Sequence, residues 1–170
     1  MKKFQFRPVV LFFLLVFLQV WLFNSIHLFD VATPLLYIYF LIKLPANMNR
    51  NMVLFLSALM GLSIDIFEYT LGLNMLAMTV AGFFRYYFLK LFAPKDVFDE
   101  FIPSISTLGK WVFLRYVGTL ALIHVLLLFS IESLSLFDPL LLFLRIVSSF
   151  VLTILIIFAF ENLNFDLFKK

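Results

Sequence analysis

The chain contains no cysteine, which removes a disulfide framework, a thiolate nucleophile and a Cys-ligated metal together. Charge is scarce as well. Only 14% of the 170 residues are Asp, Glu, Lys or Arg, where a soluble domain carries about 25%. What fills the space is apolar: 64% hydrophobic residues, 25 phenylalanines and a mean hydropathy of +1.09. A domain of this size cannot bury so much apolar surface in its own core, so most of it must face lipid. The net charge of +3 comes from basic residues spread along the chain, none in a run longer than two. They read as topology markers, and a nucleic-acid-binding patch is excluded.

A helix crossing a hydrocarbon core of about 30 Å needs roughly 20 apolar residues. The hydropathy pattern predicts an all-α integral membrane protein, a six-helix transmembrane bundle forming one domain over 1–170, with spans at 8–23, 31–44, 52–67, 72–92, 111–129 and 139–160. The first span opens at Pro8, has Gln19 as its one strongly polar residue, and reads as a retained helix because no small-residue cleavage site follows. The second, VATPLLYIYFLIKL, has 14 residues and is short for a crossing unless the bilayer thins or the helix tilts. The longest polar break, 93–110, contains Pro94 and Pro103.

Orientation follows from the basic residues. With the N-terminus cytoplasmic, the inner segments hold ten: Lys2, Lys3, Arg7, Lys43, Arg50, Lys90, Lys95, Lys110, Lys169 and Lys170. The three outer loops hold none, carrying His27, Asp30, Glu68, Glu132 and Asp138 instead. Both termini are therefore expected inside, with 93–110 a cytoplasmic loop.

Three arginines lie within or at the edge of spans, where a charge at midplane costs at least about 2.5 kcal/mol. Arg85 and Arg115 are near cytoplasmic ends and are expected to snorkel to the headgroups. Arg145 lies near the outer end of the sixth span, and Asp65 is its expected partner, with Glu68 second. Asp65 and Glu68 share a helix face, a spacing that can hold a metal or supply an acid and a base. No third ligand accompanies them, and neither HExxH nor GxSxG is present, so a structural polar site is the reading, without catalytic residue, metal or cofactor. His124 is expected to hydrogen-bond to a neighbouring helix.

Ser57, Gly61 and Asp65 recur at intervals of four, as do Ala77, Ala81 and Arg85. Each set makes a small-and-polar stripe that permits close helix approach. The third and fourth spans, joined by a tight turn through Gly72, are thus expected to form the packed centre. In the loop APKDVFDEFIPS, an apolar side with Phe98 and Phe101 opposes an acidic side with Asp96 and Asp99. Anionic lipid would repel that acidic side, so these four residues are candidates for a cytoplasmic protein contact.

The stretch GLSIDIFEYTLGLNMLA, followed by FFRYYFLKLFAPKD, FIPSISTLGKWVFLRY and LLFLRIVSSFVLT, resembles in order and spacing the MreD family of rod-shape-determining membrane proteins, from Gly61 to Thr153. The resemblance implies a non-enzymatic scaffold of the bacterial elongation machinery in the inner membrane. Its partners would be an MreC-like single-span protein, the MreB filament and the peptidoglycan synthase pair. Where that family often has His after the turn, this chain has Asn74, which keeps hydrogen bonding and loses titration. The competing reading is a six-helix substrate-binding S-component of a vitamin transporter, to which MreD is similar in architecture. S-components typically dock through an alanine pattern on the first span, and this first span has no alanine.

Overall fold

The computed structural model describes residues 6–23, 32–70, 72–93, 101–133 and 138–162. These form helices and no strand: α1 (Phe6–Leu18, continued by a π-helical turn Gln19–Phe23), α2 (Ile38–Lys43), α3 (Arg50–Glu68), α4 (Leu73–Phe92), α5 (Ile105–Leu108), α6 (Lys110–Glu132) and α7 (Pro139–Asn162). Four of them, α3, α4, α6 and α7, are long and apolar enough to cross a membrane, and Pro8–Leu22 is a shorter apolar helix. Their outward faces display Phe13, Phe55, Ile66, Leu91, Leu140 and Phe143, a surface suited to lipid rather than water.

Of the segment expected as the second span, only six residues are helical. Residues 32–37 precede a helix of only six residues, α2, which rises about 9 Å. Pro34 lacks an N–H and disfavours helix at Thr33, so the entry to this segment is not helical. From Leu35 to Ile42 the residues are almost entirely buried. The segment is the core of the molecule, and the longer helices pack around it. Non-helical backbone at membrane depth is tolerated only where protein surrounds it and satisfies its polar groups.

Side-chain contacts fix the relative directions of these segments. Gln19 meets Pro34 and Leu36 while Phe12 meets Phe40, so the central segment runs antiparallel to α1. Ser149 meets Thr33 while Glu161 meets Lys43, so it runs parallel to α7. Arg50 stacks over Tyr86 and Tyr87 while Asp65 meets Asn74, which makes α3 and α4 an antiparallel hairpin. Phe113 packs on Phe158 and Arg145 meets Glu132, so α6 and α7 are antiparallel too. One end of the bundle gathers Lys43, Arg50, Pro103 and Glu161, and the other gathers Asp65, Glu68, Glu132 and Arg145.

The hairpin turn explains its own residues. Tyr69 caps α3 in the left-handed conformation (φ 56°), its N–H bonded to the Asp65 carbonyl, and Gly72 opens α4 at φ 81°. Gly72 adopts that angle without a Cβ penalty. Gly61 serves a different need: a Cβ there would lie 2.4 Å from the Asn74 carbonyl oxygen and 2.5 Å from Met75 Cα. Only glycine lets the two backbones approach so closely. Both expected stripes are indeed buried, with Ser57, Gly61 and Asp65 facing inward on α3, and Ala77, Ala81 and Arg85 on α4.

Candidate functional site

The polar residues of the bundle converge on the central segment. On its entry side, Gln19 Nε2 donates to the Pro34 carbonyl at 3.0 Å, and Gln19 Oε1 accepts the Leu36 N–H at 2.8 Å. The Thr33 and Leu35 N–H groups donate to Ser149 Oγ and Thr153 Oγ1, each at 3.0 Å. At its exit, Arg85 Nε donates to the Leu41 carbonyl at 2.9 Å, and Nη2 to the carbonyls of Leu44 and Pro45. A buried backbone group without a partner costs about 1–3 kcal/mol, so these side chains make the irregular segment affordable. The expectation that Arg85 snorkels is thereby corrected. It is buried, and it neutralises the carbonyl end of α2 instead.

A second network joins the hairpin turn to the centre. Asp65 Oδ1 accepts the Asn74 N–H at 3.0 Å, and Asp65 Oδ2 accepts the Met75 N–H at 2.8 Å, so its carboxylate sits on the first turn of α4. The Thr70 hydroxyl donates to the same Oδ1. Asn74 Nδ2 bridges Asp65 at 3.1 Å and Glu68 at 2.9 Å, while Asn74 Oδ1 accepts the Tyr37 hydroxyl. His124 Nε2 lies 2.7 Å from that hydroxyl, with the two rings edge to face. His124 thus makes the cross-element hydrogen bond expected of it, to the central segment rather than to a full-length helix.

The third network lies at the opposite end. Glu161 and Lys43 form an ion pair at 2.8 Å, buried on both sides. Tyr39 donates to Glu161 at 2.7 Å, the Ile105 N–H donates to it at 3.2 Å, and Lys43 also reaches the Pro103 carbonyl at 3.2 Å. These contacts tie the central segment, α5 and α7 together.

The expected Arg145–Asp65 pair does not form. Asp65 is consumed by α4 and Thr70, and Arg145 Nη1 meets Glu132 Oε1 at 3.3 Å on the surface. One turn of α6 beyond its apolar body supplies the acid that the sequence placed in a loop. Glu68 is half-buried and bound to Asn74, and Arg115 is exposed on α6. Among the described residues, no three His, Asp or Glu side chains are grouped to hold a metal ion. Of the four proposed contact residues, Asp96, Phe98 and Asp99 lie outside the described residues. Phe101 packs against the core, and its carbonyl accepts the Ala46 N–H at 2.9 Å.

No protein-family model, curated protein or solved structure matches this chain.

Sequence reading missed Tyr37, Tyr39, Lys43, Ser149, Thr153 and Glu161 as members of these networks. A signal existed for α7: Ser149, Thr153 and Glu161 lie at multiples of four on one face, interrupted by Ile157. Lys43 counts among the basic topology markers and Glu161 lies just past the expected sixth span, 139–160, so sequence alone separates two ends of one ion pair.

Proposed function

We propose that this chain is a multi-pass scaffold of the bacterial inner membrane with six passes and both ends cytoplasmic, an MreD-like component of the machinery for cell elongation and lateral wall synthesis. The second pass is the central segment 32–44, whose contacts with α1 and α7 run in the sense such a pass requires. The basic end of the bundle faces the cytoplasm, following the charge asymmetry of the loops. Its work is binding. An MreC-like single-span protein is the first partner, laid against the outward apolar faces of the long helices.

The observation that carries this reading is the filled centre. Where a substrate-binding bundle keeps a cavity, the middle here is occupied by Leu35 to Ile42 of the chain itself, and the polar side chains around it are engaged in holding that backbone. Such a bundle is a rigid body with interfaces rather than a container.

Depletion in a rod-shaped bacterium tests the proposal. Cells are expected to widen and round while small-molecule uptake stays normal, and the single-span partner should co-purify with the chain. Unchanged cell width with loss of uptake of one vitamin would replace the scaffold with the transport reading.

A further inference from the structure

A cavity of about 190 Å³ opens at the basic end of the α3–α4 hairpin. Its polar wall is formed by Arg50, Asn51 and Arg85, and its apolar wall includes Leu54, Phe83 and Tyr86. No carboxylate lies within 4.0 Å of either guanidinium among the described residues, where the ion pairs are Lys43–Glu161 and Arg145–Glu132. Arg85 spends its hydrogen bonds on three carbonyl oxygens, which solvate its charge without cancelling it. Arg50 lies over the rings of Tyr86 and Tyr87, 4.4 and 4.9 Å from their centroids. Cation–π contact orients the guanidinium and leaves its in-plane N–H groups free to donate.

We propose that this groove seats the phosphate of an anionic phospholipid, with Arg50 and Arg85 supplying the complementary charge and Asn51 a neutral donor. Guanidinium groups match phosphate oxygens in geometry as well as in charge. The volume is below the roughly 300–1,000 Å³ of sites that engulf a whole small molecule. It accommodates a headgroup whose acyl chains continue outside, over the exposed faces of Phe83 and Phe55. Tyr86 and Tyr87 are also partly exposed, as suits aromatic residues at headgroup depth. In the orientation proposed above, the groove opens in the cytoplasmic leaflet, where anionic lipid is attracted to basic residues. Only that leaflet assignment rests on the proposed orientation. Headgroup selection itself is independent of any role in cell shape.

Native mass spectrometry of the full chain in detergent, titrated separately with phosphatidylglycerol and phosphatidylcholine, tests the proposal. The parent should retain phosphatidylglycerol in preference to phosphatidylcholine. Arg50→Gln, which leaves the carbonyl contacts of Arg85 intact, should lower that preference about fivefold. Asn51→Trp, which fills the groove without changing charge, should abolish it, whereas Arg115→Gln on the exposed face of α6 should preserve it. Equal retention of both lipids by the parent, or a preference untouched by Arg50→Gln and Asn51→Trp, overturns the site. Complete displacement of the lipid by millimolar inorganic phosphate overturns the choice of a lipid, since a soluble phosphate compound would then suffice.

Discussion

Tyr37 of the central segment and Asn74 of α4 are joined by a buried hydrogen bond in which the Tyr37 hydroxyl donates to Asn74 Oδ1. That bond fixes the orientation of the amide. With its oxygen turned to Tyr37, the Asn74 nitrogen must face the carboxylates of Asp65 and Glu68, as it does at 3.1 and 2.9 Å. One side chain therefore couples the hairpin turn to the central segment.

Replacing Asn74 with Leu should lower stability by roughly 2–4 kcal/mol, because a buried hydroxyl and two acids lose a partner. Asn74→Asp should be worse, since it adds a third carboxylate beside two others. Thermal unfolding of the purified variants in detergent measures both, and melting temperatures equal to the parent's would deny the network any energetic weight.

Gly61→Ala already places a Cβ against backbone atoms of α4, so it should cost about 1–3 kcal/mol, and Gly61→Leu more. Gly118 on α6 makes the contrast, with nothing within 4 Å of its would-be Cβ. Gly118→Ala should be neutral or stabilising by up to about 1 kcal/mol through helix propensity. Accumulation in membranes and melting temperature should be highest for Gly118→Ala, lower for Gly61→Ala and lowest for Gly61→Leu.

The two ion pairs should differ sharply in worth. Glu161→Ala removes the carboxylate facing Lys43 and the acceptor of Tyr39 and Ile105, and is expected to cost on the order of 3–5 kcal/mol. Arg145→Ala should cost no more than about 1 kcal/mol, because the side chains of that pair are 35% and 48% exposed. If Arg145→Ala proves the more damaging in unfolding assays, Arg145 has a partner more buried than Glu132.

Gln19→Leu should destabilise by about 1–3 kcal/mol, leaving the Pro34 carbonyl and the Leu36 N–H unpaired at the core. Thr153→Val keeps the shape and removes the acceptor of the Leu35 N–H, with a similar expected loss. Ser63→Ala on the exposed face of α3 removes only a bond to its own helix and should be silent. Proteolytic susceptibility in detergent reads all three.

Orientation is open to labelling without background, because the chain has no cysteine. Cysteine at Tyr69, which is 94% exposed at the hairpin turn, should react with an impermeant reagent applied from outside the inner membrane. Cysteine at Asn47 or Ser104, on the basic end, should react only after the membrane is opened. Outside labelling at 104 would invert the proposed arrangement.

Local sums were legible in the sequence. Hydropathy alone placed α3, α4, α6 and α7 within a few residues of their observed bounds, since lipid exposure depends on the apolar content of one continuous helix. Glycine and serine at intervals of four likewise announced the close α3–α4 approach through Gly61, because that spacing aligns small residues on one face. What sequence could not assign was the partner of each buried polar group. Asp65 serves Asn74, Met75 and Thr70 while Arg145 serves Glu132, and the choice between acids at similar depth depends on how the helices are rotated in three dimensions. The same holds for residues 32–44. Their apolar letters suit a short helix, yet they fold as a non-helical entry and a six-residue helix because Gln19, Ser149, Thr153 and Arg85, far away in sequence, are brought to their backbone to supply the hydrogen bonds that lipid cannot.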